Sequence, residues 1–122
     1  AWGRDLPHTF SSAARAMFEI IADLSNVSEK ESREVELTSA EPDTLLVDWL
    51  NELLYLFDAE QLLLCRFDVL ILPGEALRAT VYGERVDPAR HLVKMGIKAA
   101  TYHMLELKCE PAGCEARVIF DV

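Results

Sequence analysis

The 122-residue chain has little of what marks a nucleotide-dependent, metallo- or disulfide-based protein. It holds five glycines, five prolines and three cysteines. The glycines read as turn residues, and no glycine-rich phosphate loop, G-x-S-x-G elbow, H-E-x-x-H pair or catalytic-cysteine context occurs. Nucleophilic catalysis therefore finds no support in a motif. Cys65, Cys109 and Cys114 form an odd set without a C-x-x-C pair or a histidine at metal-finger spacing, which signals neither a disulfide framework nor a structural zinc site. Cys109 and Cys114 flank the turn at Pro111 and Gly113, so a bridge across a hairpin stays open. No apolar run reaches the roughly 18 residues of a membrane span, because charges interrupt the longest ones. Basic residues are also scarce: the net charge of −9 disfavours direct contact with a phosphate backbone, which depends on clustered Lys and Arg. These features predict a soluble cytoplasmic protein that would meet nucleic acid only through a partner.

What is present is ordinary globular material, with 51% hydrophobic and 27% charged residues, enough for one core and one domain over 1–122. No signal peptide is read at the N-terminus, and "AWGRDL" reads like the tail of a strand. Asp5 suits an N-cap and Pro7 a first helical turn. Phe10, Ala14, Met17, Ile21 and Leu24 then recur at helical steps, predicting a helix that ends near "SNVS". "REVELT" alternates as a strand, and "EPDTLL" opens a second helix whose wide apolar stripe runs from Leu45 to Phe57. "RFDVLIL" and "ALRATVYGE", joined by Pro73, Gly74 and Glu75, form one predicted hairpin. "IKAATYHMLELK", "EPAGC" and "EARVIFDV" form another. The expected architecture is α+β, two helices packed on one face of a mainly antiparallel sheet.

Candidate chemistry lies late in the chain. On the last strand Arg117, Ile119 and Asp121 face away from Ala116, Val118 and Phe120, and the main-chain carboxylate of Val122 adjoins Asp121. Two such carboxylates suit Ca²⁺, Mg²⁺ or Mn²⁺ in type, although a solvated chain end has the same sequence. Strict alternation without a bulge would put Ile97, Ala99, Thr101, His103 and Leu105 on one face and Lys98, Ala100, Tyr102, Met104 and Glu106 on the other. Lys98 could meet a phosphate or carboxylate, or be a plain surface lysine; His103 could be a ligand or a hydrogen-bonded rim histidine. "YGERVDPARH" gathers Glu84, Asp87, Arg90 and His91, which read equally as a binding rim or a solvated loop.

"YGERVD", "RH", "IKAATYH" and the terminal "FDV", in that order, together with "AWGRDLPHTFSSAARAMFEIIADLSNV", resemble the archease family over nearly the whole chain. The resemblance implies a non-catalytic accessory protein of the RtcB-type RNA ligase, which joins RNA ends in tRNA splicing and RNA repair using GTP and a divalent metal. It implies that the protein promotes guanylylation and repeated turnover of the ligase. It also places Asp121, with Val122, in a metal site, and matches Lys98 to the lysine of a family motif. Archeases carry a histidine-threonine-alanine-aspartate motif shortly before the position of Trp2, and this chain lacks it; "HTF" at His8 to Phe10 belongs to the helix start and is no substitute. The expectation is that the first strand and this part of the metal site are truncated. Two rival readings remain: a metal-independent protein-interaction or chaperone-like module, and a small metal-dependent hydrolase, for which no general base is evident.

Overall fold

The structure is a computed structural model that describes residues 1–122. Its elements are β1 (Trp2–Gly3), α1 (Leu6–Ile21), a 3-10 turn (Leu24–Asn26), β2 (Glu31–Thr38), α2 (Pro42–Glu60), β3 (Leu62–Leu72), β4 (Ala76–Arg85), β5 (Ala99–Glu110) and β6 (Gly113–Asp121). The fold is α+β with antiparallel strands, as the sequence predicts. The strands divide, however, into two three-stranded sheets, ordered β1-β6-β5 and β2-β4-β3. Helix α1 packs against β3 of one sheet and β1 and β6 of the other, and α2 packs against β5, β2 and β3. The helices thus bridge both sheets, which is how a single core forms without a continuous ladder.

Local chemistry sets the element ends. The Asp5 carboxylate accepts the His8 N–H at 3.0 Å and caps α1, and this bond holds the Asp5 carboxyl below its ordinary range. Helix α1 stops at Ile21 rather than near Val27, because Ala22 is extended and pairs with Val93. The Ile21 carbonyl then accepts the N–H groups of Lys94 and Met95, so the β4–β5 connection satisfies an orphaned helix end. Helix α2 ends where Gln61 turns left-handed, at φ 56°, and its side-chain amide donates to the carbonyls of Phe57 and Asp58. Strand β3 begins at once, with Leu62, Leu63 and Leu64 fully buried, four residues earlier than "RFDVLIL" predicts. That apolar run carries no alternation, since it is covered on both faces.

The core centres on Phe10, Met17, Phe18 and Ile21 of α1 and Leu46, Trp49, Leu50 and Leu53 of α2, none of them accessible to solvent. Phe67 of β3 lies 5.9 Å from the Phe18 ring and 6.3 Å, edge on, from Trp49. The Trp49 Nε1–H donates to the Phe10 carbonyl at 3.0 Å, which satisfies the one polar atom of the largest core side chain. Gly83 of β4 is required by close approach: a Cβ there would stand 1.9 Å from the Leu63 carbonyl oxygen, beside the irregularity at Cys65. Cys109 and Cys114 do form a disulfide across the β5–β6 hairpin, leaving Cys65 as the free thiol.

Candidate functional site

Strand β6 alternates as its sequence requires: Ala116 is buried, Val118 and Phe120 are half-buried, and Arg117, Ile119 and Asp121 are exposed. Its register with β5 sets Ala99 opposite Asp121, Ala100 opposite Phe120 and Thr101 opposite Ile119. Just before β5, the Lys98 N–H donates to the Asp121 carbonyl at 2.7 Å. The same register continued by one residue puts Lys98 opposite Val122, so the open ends of the two strands hold Asp121, Val122 and Lys98 together. All three are exposed, and no ion pair joins Lys98 to Asp121. On the other edge of β5, Asn51 of α2 accepts the Ala100 N–H at 2.7 Å and donates to the Ala100 carbonyl at 3.2 Å. This clamp fixes the strand two residues from Lys98.

The strict alternation predicted for 97–106 fails beyond Thr101. From Thr101 to Glu106 β5 uses five steps to span what β6 covers in two, from Ile119 to Arg117. The extra residues form a bulge in which Met104 is left-handed, at φ 52°, and Tyr102, His103 and Met104 are exposed. Thr101 and Glu106 consequently share a face. The Tyr102 hydroxyl reaches Asp48 of α2 at 3.4 Å; burial, followed by the Asp48 carboxylate, pushes its phenol pKa up. His103 stands on this bulge, apart from the Lys98–Asp121 strand ends. A single β-branched and aromatic run hides such a shift, because no proline or glycine announces it.

The loop cluster is organised differently. Glu84 at the end of β4 and His91 are buried, Asp87 is half-buried and Arg90 is exposed. Asp87 accepts the N–H groups of Arg90 and His91 on its carbonyl, and its own N–H donates to His91 Nδ1 at 2.8 Å. With Nδ1 accepting, the ring proton belongs on Nε2, which lies 2.8 Å from Glu84 Oε1. Arg90 Nη2 lies 2.8 Å from that oxygen as well. Neither His91 Nε2 nor Glu84 Oε1 is in a well-aligned hydrogen bond, so the His91 contact is close but oblique, and the ion pair on this oxygen is the one with Arg90. Glu84 Oε2 accepts the Ser28 N–H at 3.0 Å. Burial pushes the Glu84 carboxyl up, but Ser28, Arg90, Lys30 and His91 together hold it below its ordinary value. Asn26 donates to the Arg90 carbonyl and Arg90 Nη2 to the Asn26 carbonyl, tying this loop to the α1–β2 connection. The sequence marks the cluster but cannot separate its inward pair, Glu84 and His91, from its outward Arg90.

Asp121 and Val122 offer hard oxygens, the right type for Ca²⁺, Mg²⁺ or Mn²⁺. Their number falls short: no three His, Cys, Asp or Glu side chains converge anywhere in the chain, and the strand ends supply two adjacent groups where these ions take six or more oxygens. The donor chemistry therefore fits a divalent cation and the donor count does not.

The chain is a two-helix α+β domain of antiparallel strands, with Lys98 and Asp121 at the paired ends of its last two strands. The family model described as Archease protein family (MTH1598/TM1083) matches residues 1–122. Among curated relatives, a protein archease of Methanosarcina mazei is 40% identical, covering 100% of this chain and 86% of its own length. One from Methanothermobacter thermautotrophicus is 42% identical, covering 100% and 89%. The solution structure of Methanobacterium thermoautotrophicum protein 1598 superposes with a TM-score of 0.84 at 40% identity, over 100% of this chain and 89% of that one. The chain belongs to the archease family. No helix is long and apolar enough to cross a membrane.

Proposed function

We propose that this protein is a non-catalytic, cytoplasmic accessory factor that activates an RtcB-type RNA ligase in tRNA splicing and RNA repair, promoting its guanylylation and multiple turnover. Family membership, with Lys98 held beside Asp121 at the strand ends, is the observation that carries this reading. Asp121 and Val122 are the part of a divalent-metal site that this chain offers, the remaining oxygens coming from other segments or water. A bound cation there would offset phosphate charge. Lys98 adds a point charge suited to the nucleotide phosphates of the GTP that the ligase consumes. Arg90 and Asp87 line the contact from the loop, Glu84 and His91 support that loop from within, and His103 meets the partner from the bulge. RNA is reached only through the ligase.

The shortfall in metal donors favours a second reading, a metal-independent interaction or chaperone-like module. Multiple-turnover ligation by the same-source ligase separates the two, with the protein at substoichiometric amounts. Stimulation by the wild type and none by Asp121→Ala is the expected result. Equal stimulation by both discards the metal site and keeps the partner. No stimulation by either discards the ligase reading.

A further inference from the structure

The net charge of −9 is not spread over the molecule. Residues 29–75 contain twelve of the 21 acidic and three of the 12 basic side chains, a difference of −9, so the remainder is neutral overall. Part of this charge is paired locally, as Glu29 and Asp68 are with Arg66, and Glu31 and Glu60 with Arg33. The outward face of α2 is not. Thr44, Asp48, Asn51 and Glu52, all half-buried, and Tyr55 and Asp58, both exposed, lie on one side of that helix at steps of three and four, opposite the buried leucines; Asp48 and Asn51 border β5 there. Asp48, Glu52 and Asp58 have no cationic partner within ion-pair distance. Tyr55, in their midst, is 61% exposed and makes no side-chain hydrogen bond.

Two features make this face costly to the isolated fold. Asp58 sits in the last turn of α2, where the helix dipole is itself negative, and that turn contains no basic residue. An aromatic ring lies open between carboxylates instead of joining the core. Like charge opposes pairing of this face with itself in a second copy of the chain, and it excludes nucleic acid and an anionic membrane as what covers it. Carboxylates flanking an aromatic face match a cluster of lysine and arginine side chains, through ion pairs and cation–π contact.

We propose that the outward face of α2 docks a lysine- and arginine-rich surface of a partner protein. The Asn51 clamp on Ala100 and the Asp48 contact with Tyr102 make this face continuous with β5, so a partner seated on α2 is led towards Lys98 and Asp121. The docking face rests on the proposed function only for naming the partner as the ligase.

The test uses the full chain in two paired variants of equal charge: Glu52→Lys with Asp58→Lys on α2, and Glu34→Lys on β2 with Glu75→Lys in the β3–β4 turn. Affinity for the same-source ligase is measured at low and moderate salt, and a decalysine peptide is titrated into each ¹⁵N-labelled protein. The α2 variant should bind the ligase at least ~10-fold more weakly and lose most of its salt dependence, while the sheet variant binds nearly as the wild type. Peptide-induced shifts should centre on Asp48 to Asp58 and Tyr55, and vanish in the α2 variant. Equal weakening by both variants would reduce the effect to net charge and overturn the docking face while leaving the ligase reading intact. If the ligase does not bind the wild type at all, the ligase reading falls; the peptide map then decides alone, and shifts spread over Glu34, Glu36 and Glu75 overturn the docking face.

Discussion

The two sheets differ in how completely their backbones are determined. In β2-β4-β3 the β2–β4 register runs unbroken over eight pairs, the β3–β4 ladder of ten pairs is interrupted only at Cys65, and the outer edge of β3 is covered where Ser11 and Arg15 of α1 donate to the Phe67 and Cys65 carbonyls. In β1-β6-β5, β1 pairs through two residues, β5 bulges at Tyr102–Met104, and the strand ends at Lys98 and Asp121 are exposed. Stability and candidate chemistry are thus housed apart. The regular sheet and the helices anchor the core, and the irregular sheet presents the charged strand ends.

The sharpest way to test that division is to damage the anchored half. Trp49→Ala removes the largest fully buried side chain and its bond to the Phe10 carbonyl, and should cost about 3–5 kcal/mol in urea unfolding. Gly83→Ala forces a methyl group to 1.9 Å from the Leu63 carbonyl oxygen and should cost about 3 kcal/mol, since backbone rather than a flexible side chain has to yield. A loss below about 1 kcal/mol from either would show that the regular sheet and the helices are not the anchor.

Glu84 ties the connection that leads to β5 back to β4, and its effect is smaller and dependent on pH. Its folded carboxyl lies below its ordinary 4.5, so the stability it contributes is fully present above about that value and is lost as pH falls through the lower folded value. Glu84→Gln should cost about 1–3 kcal/mol at neutral pH by weakening the partner of buried His91. The cost should shrink on acidification; a pH-independent penalty would mean that shape, not charge, matters there.

Much of this division is legible in the sequence. The N-cap Asp5, the α1 stripe from Phe10 to Ile21, the α2 stripe around Trp49 and the alternation of β6 all follow from local periodicity, which packing then confirms. What is not legible depends on distant partners. Ala22 leaves the helix because Val93 pairs with it, and β5 bulges because β6 offers fewer residues over the same span. The split into two sheets arises from helices that pack on both. At the site, Asp121 and Lys98 can be marked by resemblance, whereas the inward orientation of Glu84 and His91 appears only when Ser28 and Arg90 close over them.

The hairpin disulfide gives a smaller effect in the irregular half. The Cys109–Cys114 bond closes a short loop, for which chain entropy predicts at most about 2 kcal/mol. Cys109→Ser with Cys114→Ser should lower the melting temperature by no more than about 8 °C. The ends of β5 and β6 opposite the turn should keep their amide-exchange protection, because the Lys98 N–H still meets the Asp121 carbonyl.

The smallest expected change in stability falls at the site itself. Asp121 and Lys98 are exposed and make no side-chain hydrogen bond or ion pair, and the bond that joins their strands is made by backbone atoms. Asp121→Asn and Lys98→Ala should therefore leave folding stability within about 0.5 kcal/mol of the wild type. Each should still abolish stimulation of ligation, the quantity that the strand ends are proposed to serve. Urea unfolding and multiple-turnover ligation on the same preparations measure the two together. If either variant loses stability as Gly83→Ala does, the strand ends belong to the anchored half, and the separation between a rigid support and an exposed working edge fails at the point where it matters most.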